Sequence, residues 1–350
     1  MKTTAAVLVE LGKPLEIVDL EIPTLKPGQI LVEITWSGMC HTQLLEVRGH
    51  RGADPFLPHC LGHEGSGKVL EIAPGHTGKL AVDDSVVLSW LKGSGANVMG
   101  SVYEWHHFTG KRNVNAGAIT TFMTHAIISE NRLTKIPKGV SMKQAVMLGC
   151  ALPTGVGAVI NTAKPQPGQS LVVFGCGGVG LNAIMGAVVS GCAPVIAVDI
   201  NPEKLAIAKE LGATHTINPL NDDVMEAIKA LTDGGADFAI EATGIPSIMQ
   251  QALQVVRPQG GKAVIIGNAH KGQDVTIDPG MFNSGRSMLG TWGGDSVPDR
   301  DYPLYGRLIA HKRLDADKLF SSPYSLAQIN QALDDLEAGS VCRPLIDLSL

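Results

Sequence analysis

A glycine-rich loop constrains the fold of this 350-residue chain more than any other feature of its sequence. The loop is Gly175-Cys176-Gly177-Gly178-Val179-Gly180. It follows an apolar, strand-like run, Leu171–Phe174, and opens a helical pattern over Gly178–Ser190. A second strand-like run, Val195–Val198, is followed by Asp199, 19 residues after the loop. This order of strand, tight glycine turn, helix and acidic strand end predicts a βαβ unit that binds a dinucleotide.

The alternation of strand and helix patterns continues beyond this unit. Pro202–Leu211 is predicted to be a helix, with Asn201 as its N-cap and Gly212 just past its end. Further helix and strand patterns alternate along the chain over Asp222–Leu231, Ala236–Glu241, Ser247–Val256 and Ala263–Ile266. The repetition predicts an α/β fold with a doubly wound, mostly parallel sheet.

The rest of the chain has a different pattern. Its first 140 residues are β-rich, with short alternating or β-branched runs at Val7–Val9, Ile30–Ile34, Gly67–Ile72 and Ser85–Ser89. Near the end, Leu326–Ala338 is predicted to be a helix, with Ser325 and Gln328 as a capping box, and Leu345–Leu348 a strand. We therefore predict a β-rich domain with its N-terminal part over 1–152, an inserted cofactor domain over 153–292, and a C-terminal return over 293–350.

Charge and cysteine usage exclude several classes of protein. Lys plus Arg (28) against Asp plus Glu (33) leaves a net charge of −5, so no basic field for nucleic acid or an anionic membrane is expected. From 144 to 198 the only charged side chain is Lys164, but prolines and glycines divide this stretch into pieces too short to span a bilayer. The six cysteines are irregularly spaced and no signal peptide is recognisable, which together favour a cytoplasmic protein.

The glycine loop and Asp199 predict which cofactor binds. Gly175 permits the tight turn, Gly177 lets the backbone approach a pyrophosphate, and Gly180 lets helix and strand pack closely. Asp199 can accept hydrogen bonds from both adenosine-ribose hydroxyls and would repel a 2′-phosphate, so we expect NAD rather than NADP. Lys204, one turn into the next helix, either reaches the ribose or is a solvated helix lysine.

Three further segments contain side chains that can bind a metal. Cys40 lies in GMCHT (38–42), His63 in GHEGSG (62–67) and Cys150 in GCALPTG (149–155). No C-x-x-C or H-E-x-x-H spacing links them, so spacing alone predicts no site. Taken singly, the cysteines read as small buried hydrophobes and the histidine as a core side chain.

In their order along the chain, these three segments and the glycine loop resemble the zinc-containing medium-chain alcohol dehydrogenases, and the match covers essentially the whole chain. The resemblance implies a GroES-like catalytic domain and a Rossmann cofactor domain. It also implies that Cys40, His63 and Cys150 bind one catalytic zinc, with water or substrate in the fourth position. Glu64 would then be an alternative ligand or a neighbouring charge.

The same resemblance implies roles for other residues. Thr42 would hydrogen-bond the substrate oxygen and pass its proton outward, although a threonine bonded only to backbone is the alternative. His41 and Arg343 would face the cofactor pyrophosphate and Thr154 would pack against the nicotinamide, with a surface arginine the alternative for Arg343. Trp90 would line the substrate pocket or belong to the core.

The chain also departs from the family pattern. Gln43 replaces an aspartate that orients the ligating histidine, and we expect its amide oxygen to accept a hydrogen bond from His63. Leu45 stands where many relatives have a proton-relay histidine. Between 91 and 128 there is no cysteine, and His106-His107 has no recognisable ligand spacing, so we expect no structural zinc.

The leading prediction is an NAD-dependent zinc alcohol dehydrogenase. Its substrate would be a small molecule with an alcohol, polyol or sugar-like hydroxyl, or the matching aldehyde or ketone, and the enzyme would be a homodimer or homotetramer. One alternative is a metal-free reductase of quinones or enones with the same fold, and another is an NAD-binding protein without enzymatic activity.

Overall fold

The computed structural model of the protein describes residues 1–76, 78–107 and 110–350. These residues form two compact units. The first unit contains Met1–Cys150, Val297–Ala310 and Phe320–Leu350, and the second contains Ala151–Ser296 and His311–Leu319.

The strands, in chain order, are β1 (Lys2–Leu8), β2 (Glu16–Glu21), β3 (Gln29–Gly38), β4 (His59–Cys60), β5 (Glu64–Ile72), β6 (Ser85–Ser89), β7 (Val102–His107), β8 (Gly110–Asn115), β9 (His125–Ser129), β10 (Leu133–Lys135), β11 (Leu171–Phe174), β12 (Val195–Val198), β13 (His215–Ile217), β14 (Phe238–Glu241), β15 (Lys262–Ile265), β16 (Ser287–Gly290), β17 (Tyr324–Ser325) and β18 (Leu345–Asp347).

The α-helices are α1 (His41–Val47), α2 (Met142–Leu148), α3 (Ala151–Gly157), α4 (Gly178–Val189), α5 (Pro202–Glu210), α6 (Val224–Leu231), α7 (Pro246–Val255), α8 (Gly280–Asn283), α9 (Pro298–Ala310) and α10 (Ile329–Glu337). Helix α3 continues as a π-helical segment, Ala158–Ala163. Short 3₁₀ turns occupy Glu130–Arg132, Gly293–Asp295, Ala316–Leu319 and Leu326–Gln328.

The first unit is built from a closed barrel and a second sheet. Strands β1, β2, β7, β8 and β4 close the barrel, and the sheet has the order β10-β6-β5-β3-β18-β17, with β9 also paired to β3. Apolar side chains from both, among them Val7, Ile30, Val69 and Tyr103, form one buried core. Since β18 pairs antiparallel with β3, the end of the chain returns to a sheet begun by its N-terminal strands.

Strand pairing brings distant parts of the sequence to one edge of this sheet. Strand β3 ends where its antiparallel partner β5 begins, with Ser37 opposite Gly65. Strand β6 ends at the same edge, with Ser89 opposite Glu64. Helix α2, which leads to Cys150, packs on β3, β5 and β6. The segments that follow β3, precede β5 and follow α2 therefore lie close together.

The second unit contains a parallel sheet in the order β13-β12-β11-β14-β15-β16. Strand order reverses between β11 and β14, which is the topological switch point where doubly wound folds bind ligands. Val172, Ile196 and Ala239 lie in the buried core beside this sheet. The predicted α/β fold class is confirmed, and β11 and β12 coincide with the predicted strands.

Several helices were not predicted. Helix α1 has only seven residues, and its N-cap is Cys40 rather than a residue type that signals a helix start. Helix α9 contains Pro303, a residue that argues against a helix interior in sequence-based prediction. The tertiary context overrides weak local signals at both places.

Within the described ranges, no single helix has both the length and the apolar composition needed to cross a bilayer. The consecutive helical segments Met142–Leu148 and Ala151–Ala163 meet the criteria only as a pair, and they are bent at the break between them. Buried core helices satisfy the same test, so this pair is weak support for a span.

Candidate active site

Four metal-binding side chains meet at the sheet edge formed by the end of β3 and the start of β5. One ligand atom from each of Cys40, His63, Glu64 and Cys150 lies within 4.8 Å of all the others. The two cysteines and the glutamate are buried, and the histidine is half-buried. The structure thus brings together all four side chains that were predicted to be ligands or a neighbouring charge.

The start of helix α1 holds the Cys40 side chain in place. Cys40 is the N-cap residue, and its Sγ accepts a hydrogen bond from the Thr42 backbone N–H at 3.4 Å. The Gln43 side chain completes the capping box, because its Oε1 accepts from the Cys40 backbone N–H at 3.0 Å. These bonds satisfy backbone donors that a helix N-terminus leaves unpaired. They also fix the position of the sulfur.

The predicted contact between the Gln43 amide oxygen and His63 is wrong. That oxygen faces the Cys40 backbone N–H, which is only a donor, so the amide orientation is determined by the helix cap. The Gln43 Nε2 group therefore faces His63 Nδ1 and donates to it. The other ring nitrogen, Nε2, lies 3.3 Å from Cys150 Sγ and points into the cluster.

A buried ion pair lies against the cluster. The Arg343 guanidinium donates to one carboxylate oxygen of Glu64, and the side chains are 3 % and 0 % exposed. The second carboxylate oxygen, Oε1, is buried without a hydrogen-bond partner. Burial raises the pKa of Glu64, although the positive charges of Arg343 and His63 oppose that shift. Burial also disfavours the Arg343 charge, but Glu64 and the neighbouring cysteines outweigh it and raise the arginine pKa.

The Cys40 and Cys150 side chains shift each other's pKa in opposite directions. A hydrogen bond from the Cys150 side chain lowers the pKa of Cys40, and the same interaction raises the pKa of Cys150. Burial lowers the pKa of His63, but the negative charge of Cys40 reverses the effect and raises it. Without a cation, therefore, the pair favours one thiolate that is stabilised by the other thiol.

The chemistry of the cluster fits a zinc ion. Two thiolates, the Glu64 carboxylate and the Arg343 guanidinium would sum to a buried charge of about −2, which a divalent cation neutralises. Two sulfurs and an imidazole are donors that suit zinc, whereas magnesium and calcium prefer oxygen ligands. The buried Glu64 Oε1 atom without a hydrogen-bond partner provides a further oxygen beside this donor set.

The other predicted residues of the first unit differ in their exposure. Thr42 lies half-buried in the first turn of α1, two residues after Cys40, and His41 is exposed. Trp90 directly follows β6 and is half-buried, and its carbonyl oxygen accepts from Arg132. Arg343, predicted to face the pyrophosphate, is buried on Glu64 rather than being a surface arginine.

The glycine loop of the second unit has the geometry expected of a dinucleotide-binding turn. Gly175 has a φ of +89°, a conformation that disfavours residues with a side chain. A Cβ on Gly180 would lie 1.8 Å from the Gly175 carbonyl oxygen, so helix α4 can approach the loop only with glycine there. A Cβ on Gly177 would meet no atom within 4 Å, which leaves space beside the backbone for a ligand.

Asp199 follows β12 beside this loop. Its Oδ2 accepts from the Cys176 backbone N–H at 2.6 Å, and its Oδ1 accepts from the Asn201 N–H at 2.8 Å. The carboxylate is thereby fixed next to the glycine turn, with lone pairs left for ribose hydroxyls. Lys204 is half-buried in the first turn of α5, and Thr154 is buried in α3.

The sequence interpretation missed two further clusters of side chains. Glu46, Asp54 and His59 place one ligand-type atom each within 4.8 Å of the others, partly buried near α1. The sequence contains one indication of this cluster. Glu46 follows Thr42 by four residues, so the two side chains share one face of a helix. The second cluster contains Glu21, Glu104 and His106 on the exposed surface of the barrel.

The chain matches two protein families over most of its length. Residues 26–138 match the alcohol dehydrogenase GroES-like domain, and residues 178–311 match the zinc-binding dehydrogenase family. The S-(hydroxymethyl)glutathione dehydrogenase of Synechocystis sp. is 32 % identical over 99 % of this chain and 100 % of its own length.

Solved structures agree with these matches. An alcohol dehydrogenase zinc-binding domain protein from Burkholderia ambifaria is 33 % identical with a TM-score of 0.90, and the alignment covers 99 % of both chains. Benzyl alcohol dehydrogenase from Acinetobacter calcoaceticus is 34 % identical with a TM-score of 0.89 over the same shares. The chain belongs to the zinc-containing medium-chain alcohol dehydrogenase family.

Membership of this family fixes the class of reaction. The protein is an oxidoreductase that depends on zinc and NAD. It transfers a hydride between NAD and an alcohol or the matching aldehyde or ketone.

Proposed function

We propose that Cys40, His63 and Cys150 bind the catalytic zinc, with Glu64 as a neighbouring charge or an alternative ligand. The observation that carries this assignment is the buried convergence of their ligand atoms within 4.8 Å. When bound there, zinc supplies positive charge that favours the deprotonated form of a substrate hydroxyl. The opposite charges of Glu64 and Arg343 compensate each other beside these ligands. The capping hydrogen bonds at the start of α1 hold the Cys40 sulfur in position.

We propose that Thr42 accepts the proton of the substrate hydroxyl. It lies two residues after Cys40 in the first turn of α1, its backbone N–H donates to Cys40 Sγ, and its side chain is half-buried. Removal of this proton is required before the adjacent carbon can release a hydride with its electron pair to the nicotinamide ring of NAD.

For the second unit, we propose that the segment 153–292 is the NAD-binding domain. Two features support binding of the pyrophosphate there: the open space at Gly177, and the start of α4, where no N-cap side chain bonds the helix N–H groups. The fixed Asp199 carboxylate supports preference for NAD over NADP. The roles of His41, Thr154, Lys204 and Arg343 toward the cofactor stay predictions from the resemblance.

We propose that the protein binds this one zinc and no structural zinc. The segment from 91 to 128 lacks cysteine. In part it forms the β7–β8 hairpin of the barrel, and the Glu104 carboxylate there binds Lys111 Nζ at 2.7 Å. Metal analysis tests this proposal, because it predicts one zinc per chain. Two zinc ions per chain in the wild-type protein, one of which remains bound in Cys40→Ser, would contradict it.

We further propose a homo-oligomer in the cytoplasm. Strand β16 lies at the edge of the parallel sheet with its side chains half-exposed or exposed, and an unpaired strand edge can pair with a second copy of the chain. The six cysteines are irregularly spaced along the chain, a pattern unlike the disulfide framework of a secreted protein. Sedimentation analysis distinguishes a monomer, which would contradict the proposal, from a dimer or tetramer.

A panel of primary, secondary, aromatic and polyol alcohols, followed by NADH absorbance with zinc measured on the same sample, tests the proposed function. We expect NADH formation with at least one class of alcohol and about one zinc per chain. Less than about half an equivalent of zinc in a fully active sample would contradict the proposed site.

A further inference from the structure

A partly buried group of ionisable side chains lies beside helix α1, separate from the Cys40–Cys150 cluster. Glu46, Asp54 and His59 each place one oxygen or nitrogen within 4.8 Å of the others. His59 Nε2 lies 2.7 Å from Asp54 Oδ2, and the two side chains are 11 % and 12 % exposed. Burial of two acids and a histidine is costly unless they are paired, so the arrangement requires an explanation.

The position of Glu46 on α1 connects this group with Thr42. The two residues are four positions apart within one helix, which places their side chains on the same face, with Cβ atoms about 5–6 Å apart. Both are half-buried, whereas Leu45 between them is buried. A carboxylate at this position can receive a proton from the Thr42 hydroxyl directly or through one water.

We propose that Glu46 is the relay residue that takes the proton leaving through Thr42 and passes it to solvent through Asp54, which His59 holds in position. The assignment rests on the proposed function of Thr42 and identifies a route that does not use position 45. His59 Nδ1 donates to the Cys60 carbonyl oxygen at 3.1 Å, so its ring is held with Nε2 toward the acids.

The transfer balances without a further reactant. The substrate O–H bond breaks as Thr42 Oγ takes the proton, and the threonine's own proton passes to a Glu46 carboxylate oxygen. The hydride leaves the substrate carbon with its electron pair and reduces NAD to NADH, and the substrate becomes an aldehyde or ketone. Glu46 then passes its proton to the Asp54 carboxylate, which is 12 % exposed and releases it to water, and this regenerates the starting carboxylate.

The electrostatic surroundings of Glu46 agree with this role. Burial is the largest influence and raises its pKa above the ordinary value. His59, Arg51 and His63 lower that pKa, and Asp54 raises it. A carboxylate with a raised pKa is a stronger base, and a general base works best when its pKa approaches the working pH.

The same geometry disfavours a second metal site at this place. Both ring nitrogens of His59 already face oxygen acceptors, Asp54 on one side and the Cys60 carbonyl on the other. A metal ion would have to displace one of these hydrogen bonds. These hydrogen bonds instead hold the Asp54 carboxylate in position beside Glu46.

Glu46→Gln tests the proposal, because it preserves size while removing the base. We expect the single-turnover rate of alcohol oxidation at neutral pH to fall roughly 10- to 100-fold, with KM and zinc content nearly unchanged. In the wild-type protein the rate should fall toward low pH as Glu46 becomes protonated. This fall should be absent in Glu46→Gln. Glu16→Gln, at an exposed position at the start of β2, is the matched control and should leave the rate unchanged.

Two further measurements separate a proton route from a structural or binding role. Formate should restore part of the rate lost in Glu46→Ala, since a small carboxylate can occupy the space of the missing side chain. Carbon-13 NMR of protein labelled at glutamate Cδ should show one resonance, absent in Glu46→Gln, that titrates above the ordinary glutamate range. An unchanged rate in Glu46→Gln, or a change confined to KM, would overturn the proposal.

The NMR readout also distinguishes this proposal from the proposed function as a whole. If the wild-type protein forms no NADH from any alcohol, the proposed function fails whatever Glu46 does. If the wild-type protein is active and the Glu46 resonance titrates in the ordinary range without effect on the rate, only the relay fails.

Discussion

Two carboxylates, Glu64 in the first unit and Asp199 in the second, show how differently the two functional regions are built. Glu64 is fully buried, and its charge is balanced by Arg343, which is 279 residues away along the chain. Asp199 is half-buried, and two backbone N–H groups within 23 residues of it hold its oxygens. The proposed zinc site thus depends on long-range charge pairing, and the proposed cofactor site depends on local backbone geometry.

This difference has consequences for substitution. A charge removed at the zinc site leaves another buried charge without a partner, so the cost should be large and cooperative. A side chain changed at the glycine loop alters a local fit, so the cost should follow the space around each position.

The largest expected effect is that of Cys40→Ser. Loss of one thiolate should remove the zinc and lower turnover roughly a thousandfold or more, because the positive charge at the substrate hydroxyl is lost. NAD affinity should stay within about threefold, since the glycine loop belongs to the second unit. Zinc analysis, turnover and NAD titration measure the three quantities. Cys192→Ser, which removes a buried thiol outside the cluster, is the control. Full activity in Cys40→Ser would favour a metal-free mechanism.

The next effect concerns the buried ion pair. Arg343→Met should destabilise the protein by about 3–5 kcal/mol, because it leaves the Glu64 carboxylate buried without its partner. The double variant Glu64→Gln/Arg343→Met should recover much of that loss. Urea unfolding of the wild-type and variant proteins measures both effects. Additive costs of the two substitutions would show that the residues are not energetically coupled.

A smaller and more local effect is expected in the glycine loop. Gly180→Ala should destabilise the protein by roughly 1–3 kcal/mol, because its Cβ would clash with the Gly175 carbonyl oxygen. Gly177→Ala should leave stability nearly unchanged but weaken NAD binding about tenfold, because its Cβ would occupy the space predicted for the pyrophosphate. Thermal unfolding and NAD titration separate the two outcomes. Equal NAD affinity in Gly177→Ala and the wild type would mean that the cofactor does not approach there.

The smallest effect is expected for Asp199→Ala. Its kcat/KM with NAD should fall and its preference for NAD over NADP should narrow by roughly 10-fold, with a stability cost of about 1 kcal/mol from the lost hydrogen bonds. Steady-state kinetics with both cofactors measure the ratio. Comparable kcat/KM values for NAD and NADP in the wild-type enzyme would contradict the role of Asp199.

The same difference between the two regions determines which of their residues could be predicted from the sequence alone. The glycine loop and Asp199 belong to one continuous strand–turn–helix–strand segment of the sequence. Residue periodicity and turn chemistry were therefore enough to predict a dinucleotide-binding unit there. Cys40, His63 and Cys150 meet only because β3, β5 and α2 share one sheet edge, and no spacing rule expresses that. They were predicted through the family resemblance.

The contacts of individual side chains, such as the hydrogen-bond partners of the Gln43 amide, could not be predicted from the sequence. The Gln43 oxygen was expected on His63, but the backbone N–H of Cys40 requires an acceptor, and the amide turns to supply it. Glu46 was overlooked because its partners, Asp54 and His59, belong to a loop and a two-residue strand whose return to α1 is a tertiary contact.

X-ray absorption at the zinc edge of the purified protein shows directly which atoms bind the metal. We expect one zinc per chain, bound by two sulfurs at about 2.3 Å and by an imidazole nitrogen at about 2.0–2.1 Å, with the metal largely lost in Cys150→Ser as in Cys40→Ser. A zinc surrounded only by oxygen and nitrogen atoms, or by four sulfurs, would contradict it.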